Sequence, residues 1–541
     1  MILRAMARVE TLELNLTPPS LKDNTAPVDR LTKALRARLG MDVVVALPRA
    51  GEVARVLKDS GYRARVSVAI EARRAVVVDV VPPGQSPATD QKQVSEVLGL
   101  LPPDEWGSSG LGLAVDVGST HLEGSLWEIE SQSQLARGRK ANPQVEIGHD
   151  ILTRIHAAAT ASGFRRLHEM LCGALQELAE QLCSQAGRDP GEIQAVVAAG
   201  NTTMSHFLLG LDVQGICREP YLPVVNRPAP VFARDIALEL GPETVVWVLP
   251  NVGAYFGGDA VAGIVAAGMH AEEALAILVD VGTNAEVVLG CNQWLVACAG
   301  AAGPALEAGV ARMGVLAGPG AIERVEIDPQ TLEPSLKIIP APDGSVPRPR
   351  GLCGSGLLSL VAQMYLRRII DMRGRIRISD HPRIVETDEG LGYVVVWARD
   401  SATGEDIVVN EVEIDILLRS KAAMYTILRT ITLEVGVEFE QIERFYVAGA
   451  FGSVIDPEVA ITLGMIPDLP RERFVALGNS ALKGCERLLL DPSQRELAIE
   501  IAGKITYIEL NVNQALMNRF SAARFIPHTD CSRFPTVPCW H

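Results

Sequence analysis

The 541-residue chain is 48% hydrophobic and 21% charged, ordinary globular values that predict about three to four domains at roughly 150 residues each. Its 50 Lys and Arg against 65 Asp and Glu give a formal net charge of −15. That balance excludes nucleic acid as a main partner, while small anions held by backbone amides stay open. The 9 cysteines have no close grouping, which points to reduced thiols in a cytoplasm rather than a disulfide framework or a ferredoxin-type cluster. Met1 to Thr17 mixes Arg, Glu and Leu and reads as no secretory leader. Val287 to Leu306 is uncharged, but Asn292, Gln293 and Pro304 make it strand, loop and glycine turn, so no membrane span is expected.

Residues 1–82 read as a small α/β domain. Leu12 to Leu16 alternates as a strand, and Asp29 to Leu39 has helical spacing that ends at Gly40. Met41 to Leu47, Ala64 to Ile70 and Ala75 to Val81 read as further strands. Residues 83–110, rich in Pro, Gly, Ser, Asp and Gln, read as a linker.

After Gly110 a repeat begins. Leu111 to Thr120 is an apolar run, then Asp116, then a glycine–hydroxyl turn at Gly118, Ser119 and Thr120. Ala276 to Asn284 repeats the device with Asp280, Gly282, Thr283 and Asn284. Each continues into a returning strand, Leu122 to Glu128 and Glu286 to Leu289. A second element is also duplicated. The helix Arg165 to Ala186 precedes a strand ending Ala199-Gly200-Asn201, and the helix Glu413 to Val435 precedes one ending Ala448-Gly449. The expected lobes are about 111–270 and 271–525, followed by a tail at 526–541.

A glycine turn beside a hydroxyl brings backbone N–H groups close to a phosphate. An Asp at the strand end can hold Mg²⁺ against it. Two such hairpins therefore predict a polyphosphate clamp with Asp116 and Asp280 as the metal and catalytic carboxylates. Glu307, after a glycine-rich segment, is a candidate to orient an attacking water, against a plain helix-start Glu. Asp259 is a candidate Mg²⁺ ligand or a cap for the helix Ala260 to Ala267, and Asn201 is a further candidate contact. Gly449 and Gly452 suit close approach of an adenosine. Cys353 reads as a small packed residue. Cys531 and Cys539 read as part of a loose tail, His149 and His156 as non-metal, and Lys421 as snorkelling to solvent.

The duplicated pattern resembles the superfamily of acetate and sugar kinases, heat-shock ATPases and actin. Seven segments, Asn142-Pro-Gln144, Gly200-Asn-Thr-Thr-Met204, Phe256-Gly-Gly-Asp259, Asp280 to Glu286, Ala302 to Glu307, Gly351 to Gly356 and Tyr446 to Gly452, occur in one family's order. They resemble the ATP-dependent reductive activators of corrinoid proteins. Pro18 to Asp23 and Arg30 to Leu35 look like that family's middle domain. The resemblance implies an actin-like, two-lobed α/β ATPase behind a small α/β domain. It implies ATP and Mg²⁺ as cofactors, with Gly303, Gly354 and Ser355 also near the nucleotide. It further implies a Co(II) corrinoid protein of a methyltransferase system as client, returned to Co(I). Such activators usually carry an iron–sulfur domain, and no cluster-spaced cysteines occur here. Electrons are therefore expected from a separate ferredoxin or other donor, and a homodimer is expected through the small domain. Two alternatives stand beside this reading: a small-molecule kinase of the same fold, and a non-hydrolysing ATP-binding scaffold.

Overall fold

Apolar strand runs that end in Asp form the centres of two sheets of the same design. The computed structural model describes residues 7–540 except 22, 24, 72, 88, 283, 302–310, 450–455 and 509–513. The chain divides into two compact units, Met1–Ala266 with Ser480–Ile505, and Ala267–Asn479 with Thr506–His541. The first unit thus takes in the helix Ser480–Leu490, which a linear reading assigns to the second lobe.

In the first unit, strands β1 (Arg8–Asn15), β2 (Asp42–Val45), β3 (Arg63–Ile70) and β4 (Arg74–Val81) form a sheet in the order β1-β3-β4-β2. Helices α1 (Pro27–Leu39) and α2 (Leu47–Asp59) share its core through Leu31, Leu35, Val53 and Leu57. Residues 83–110 are not bare linker. Helix α3 (Gln91–Gly99) opens with a capping box between Asp90 and Gln93 and buries Val94, Val97 and Leu98. Arg495 stacks over the Trp106 ring at 3.7 Å and donates to Trp106 O at 2.8 Å, so the end of this segment is pinned.

The second sheet of this unit has strands β5 (Leu111–Val117), β6 (His121–Glu128), β7 (Ser133–Ala141), β8 (Ile193–Ala199), β9 (Val231–Phe232) and β10 (Val245–Val248), in the order β7-β6-β5-β8-β10-β9. Strands β5, β8 and β10 run parallel, and β5, β6 and β7 are antiparallel. Burial on both faces explains the unbroken apolar runs of β5 and β8. Helices α4 (Ile151–Ala157), α5 (Ala161–Ala186), α6 (Thr202–Leu208) and α7 (Gly258–Ala267) belong to this half. Leu178 and Leu182 of α5 lie over Gly124 of β6, where a Cβ would crowd them at 3.2 and 3.3 Å, and Leu182 also lies over Gly138 of β7, at 3.1 Å. Each such leucine contributes about 1.5–3 kcal/mol by burial.

In the second unit, β11 (Ala276–Val281), β12 (Asn284–Gly290) and β13 (Leu295–Ala301) form the hairpin side of a sheet. Two three-stranded sheets follow: β14 (Ala321–Ile327), β15 (Pro334–Ile338) and β16 (Gly351–Leu352), then β17 (Ile384–Thr387), β18 (Gly390–Val396) and β19 (Ile407–Asn410). Helix α8 (Gly354–Leu366) packs on β14. Helix α9 (Glu411–Glu434) starts with an Asn410–Glu413 capping box. Strands β20 (Arg444–Ala448) and β21 (Phe474–Gly478) extend the β11 sheet to the run β21-β20-β11-β12-β13, and β22 (Ile505–Tyr507) follows β13 as the sixth strand. Parallel β11, β20 and β21 beside antiparallel β12 and β13 repeat the plan of the first unit.

Further sequence expectations are corrected, among them that all the cysteines are reduced, since Cys531 and Cys539 are paired. Lys421 does not reach solvent: it is fully buried in α9 and donates to Phe525 O and Pro527 O at 2.5 and 2.7 Å. Two carbonyls of the returning tail satisfy it, so snorkelling is unnecessary. Nor is the tail loose. Cys531 and Cys539 are joined in a disulfide, Phe534 is buried against Tyr425, and Tyr365 donates to Pro538 O at 2.8 Å. Its Pro content marks a fixed path rather than disorder.

Candidate nucleotide and metal site

In the first unit, Asp116 is the penultimate residue of β5. It pairs in register with Glu123 of β6 and Ala199 of β8. The β5–β6 turn is held by Gly118, since a Cβ there would collide with His121 O. Buried Asn142 clasps the turn, donating from its backbone N to Thr120 O at 2.9 Å and from Nδ2 to Gly118 O at 3.0 Å.

Gly200 follows β8, and a Cβ on it would lie 2.7 Å from Val117 O. Asn201 then caps α6, accepting from Met204 N at 2.9 Å. Its cap role accounts for its side-chain oxygen. Gly257 lies against Gly200, where a Cβ would come within 2.7 Å of Gly200 O. Asp259, in the first turn of α7, donates from its backbone N to Gly200 O at 3.3 Å. Its Oδ1 accepts from Ala260 N at 2.8 Å, and burial pushes its carboxyl up to about 6. Asn251 Oδ1 accepts from Gly258 N at 3.1 Å and steadies the start of this helix.

Cys485 joins the group from the helix Ser480–Leu490. Its Sγ donates to Val115 O at 3.4 Å. Burial pushes its thiol well up, and the charges of Asp116 and Asp259 add to that. Both carboxylates therefore act on one buried thiol. Sequence reasoning gave no sign of Cys485, a single Cys in an amphipathic helix.

In the second unit, Asp280 of β11 pairs with Glu286 of β12 and Ala448 of β20. Gly449 has φ +77°, and a Cβ there would meet Asp280 Oδ1 at 2.6 Å and Val281 O at 2.8 Å. Gly282 is half-buried in the turn, and Asn284 opens β12. Gly354 and Ser355 begin α8. Ser355 lines a shallow depression with Glu323, Arg324, Lys337 and Asp456. Cys353 is packed, with Sγ on Ile322 O at 3.3 Å. Thr283, Gly303, Glu307 and Gly452 lie outside the described residues. No cluster of three metal-binding side chains occurs among the described residues, His149 and His156 included. Among them, no helix is long and apolar enough to cross a membrane.

Three family domains match in chain order. Residues 274–538 match the C-terminal domain of RACo, the ASKHA domain. Residues 111–272 match the RACo middle region, and residues 4–86 the RACo linker region. The small N-terminal domain thus corresponds to the family's linker region rather than to its middle domain. A solved structure of a reductive activator for corrinoid, iron-sulfur protein is 33% identical, with TM-score 0.71, covering 98% of this chain and 81% of that one. This chain belongs to the RACo family. Its second unit carries the actin- and sugar-kinase-like ASKHA fold, with the small α/β domain at the N-terminal side. Among curated relatives, the corrinoid activation enzyme RamQ of Eubacterium limosum is 28% identical over 77% of this chain and 70% of its own length. The [Co(II) methylated amine-specific corrinoid protein] reductase of Methanosarcina barkeri is 24% identical over 73% of each.

Proposed function

We propose that this protein is an ATP-dependent activator that returns an inactive Co(II) corrinoid protein of a methyltransferase system to Co(I), with electrons from a separate donor. The reading rests on family membership together with one observation: Asp116 and Asp280 occupy the same register position in two sheets of one plan. The residues present suit Mg·ATP. Gly118 keeps its turn tight, since a Cβ there would strike His121 O, and Asp116 and Asp259 offer the oxygen donors that a hard cation takes.

In this reading Gly118, Ser119, Thr120, Gly282, Thr283 and Asn284 bind phosphates. Asp116, Asp280 and Asp259 hold Mg²⁺, directly or through water. Glu307 orients the attacking water, while Gly303, Gly354, Ser355, Gly449 and Gly452 border the nucleotide. Bound Mg²⁺ would neutralise charge developing on the phosphates. The ATPase contributes differential affinity for two client states, which shifts the cobalt equilibrium. A shift of about 59 mV in a one-electron couple is tenfold in the equilibrium constant. In this reading the electron comes from a ferredoxin or similar donor, a proposal supported by the lack of cluster spacing among the 9 cysteines. A homodimer in the cytoplasm through the open β1 edge of the small sheet completes the proposal.

The test is the visible spectrum of a Co(II) corrinoid protein with this chain, ATP and a reductant. Co(I) is expected when reductant and ATP are both present. Turnover stimulated by a small alcohol or acid instead would establish a kinase. For the dimer, gel filtration of a chain starting at Gly110 is expected to lose the oligomeric state, and an unchanged state would refute it.

A further inference from the structure

Arg154 of α4 is fully buried. Its hydrogen bonds go to neutral acceptors: Nε donates to Gly148 O at 2.8 Å and Nη1 to Gln144 Oε1 at 3.2 Å, with Met204 Sδ at 3.7 Å. Nη2 is buried with no partner. Asp150 bears on the guanidinium through its charge and is itself engaged as the α4 cap. A buried cation without a bonded carboxylate is costly unless something else compensates it.

The groups Arg154 holds lead to the site. Gln144 N donates to Asn142 Oδ1 at 3.0 Å, and Asn142 Nδ2 donates to Gly118 O at 3.0 Å. On its other side, Met204 N is bonded to Asn201 Oδ1, the cap beside Gly200. One guanidinium therefore reaches both glycine loops of the first unit, through Gln144 and then Asn142 to Gly118, and through Met204 to Asn201. We infer that Arg154 is a positioning residue for polyphosphate: it fixes the Gln144–Asn142 brace under the Gly118 turn and supplies a buried positive charge to that end of the unit. The inference rests on the Mg·ATP reading above.

The experiment compares Mg·ATP and adenosine binding by calorimetry for the full chain, Arg154→Met, Arg154→Lys and Gln144→Met. Arg154→Met is expected to weaken Mg·ATP by about tenfold or more while adenosine affinity stays within twofold. Arg154→Lys, which keeps the charge, is expected to recover part of the loss. Gln144→Met keeps the cation but removes its bond to the brace, along with the Gln144 Nε2 bond to Leu167 O at 2.7 Å, and is expected to weaken Mg·ATP without moving adenosine. It carries the test if Arg154→Met does not fold. A merely structural role would weaken both ligands alike and overturns the inference, as does unchanged Mg·ATP affinity in folded variants. If the unaltered chain binds adenosine but gains nothing from the triphosphate, the phosphate-site reading fails and this inference with it.

Discussion

The Asp116 and Asp280 hairpins agree in register and differ in their surroundings. In each, the Asp faces a Glu across the hairpin and an Ala on the parallel neighbour. In each, the glycine after that Ala approaches the carbonyl of the residue after the Asp, at 2.7 Å for a Cβ on Gly200 and 2.8 Å on Gly449. The same close approach therefore requires both glycines. Gly449 has a second reason, its φ of +77° and its contact with Asp280 Oδ1. Gly200 instead leads into the Asn201-capped helix and shares its position with Gly257 and Asp259. Repetition has kept the placement of the carboxylates, while the neighbours have diverged into the Gly257–Asp259 helix start on one side and a left-handed turn on the other.

The largest expected effect breaks this symmetry by charge. Asp280→Asn is expected to cut ATPase turnover about 100-fold while nucleotide affinity changes far less, because metal positioning acts mostly on the transition state. Asp116→Asn is expected to behave alike if the register match reflects a shared role. Equal losses in affinity and turnover would remove the metal role. A smaller effect separates the glycines. Gly200→Ala and Gly449→Ala both meet a carbonyl, but the second also forces a side chain into the left-handed region. It is therefore expected to cost about 1–2 kcal/mol more in urea denaturation. Equal costs would mean the positive φ at Gly449 relaxes freely.

The hairpins were legible because their signal is local: an apolar run, Asp and a glycine turn lie within ten residues, and twofold recurrence lifts them above chance. The return of the helix Ser480–Leu490 to the first unit is topological and leaves no local mark. Helix α2 carries Pro48 and Gly51, which mask its pattern, although Pro within the first turn of a helix is well tolerated. Lys421 and the tail illustrate the other limit. Whether a lysine on an apolar face snorkels or is capped by carbonyls about a hundred residues away depends on tertiary structure alone.

The hairpins also differ in what stands behind them. Asp29 of α1, in the small domain, accepts from Asn226 N at 2.6 Å and Arg227 N at 3.1 Å. Asn226 O accepts from Asn251 N at 2.7 Å, and Asn251 Oδ1 holds Gly258 N, next to Asp259. The first site is thus tied to the small domain through a half-buried carboxylate. Burial pushes Asp29 up from 3.8 to about 6, opposed by the two backbone donors and the Arg227 charge. The folded pKa lies above the unfolded one, so between about pH 4 and 6 the folded chain holds a proton that the unfolded chain has released. Stability from this group is therefore present below about pH 4, falls as pH rises to about 6, and is flat above. At about 1.4 kcal/mol per unit, the loss is of the order of 3 kcal/mol. Asp29→Asn cannot titrate, so the wild-type urea midpoint is expected to fall relative to the variant's across that interval and then run parallel to it. A gap moving the other way with pH would mean the backbone donors outweigh burial and hold Asp29 charged at low pH.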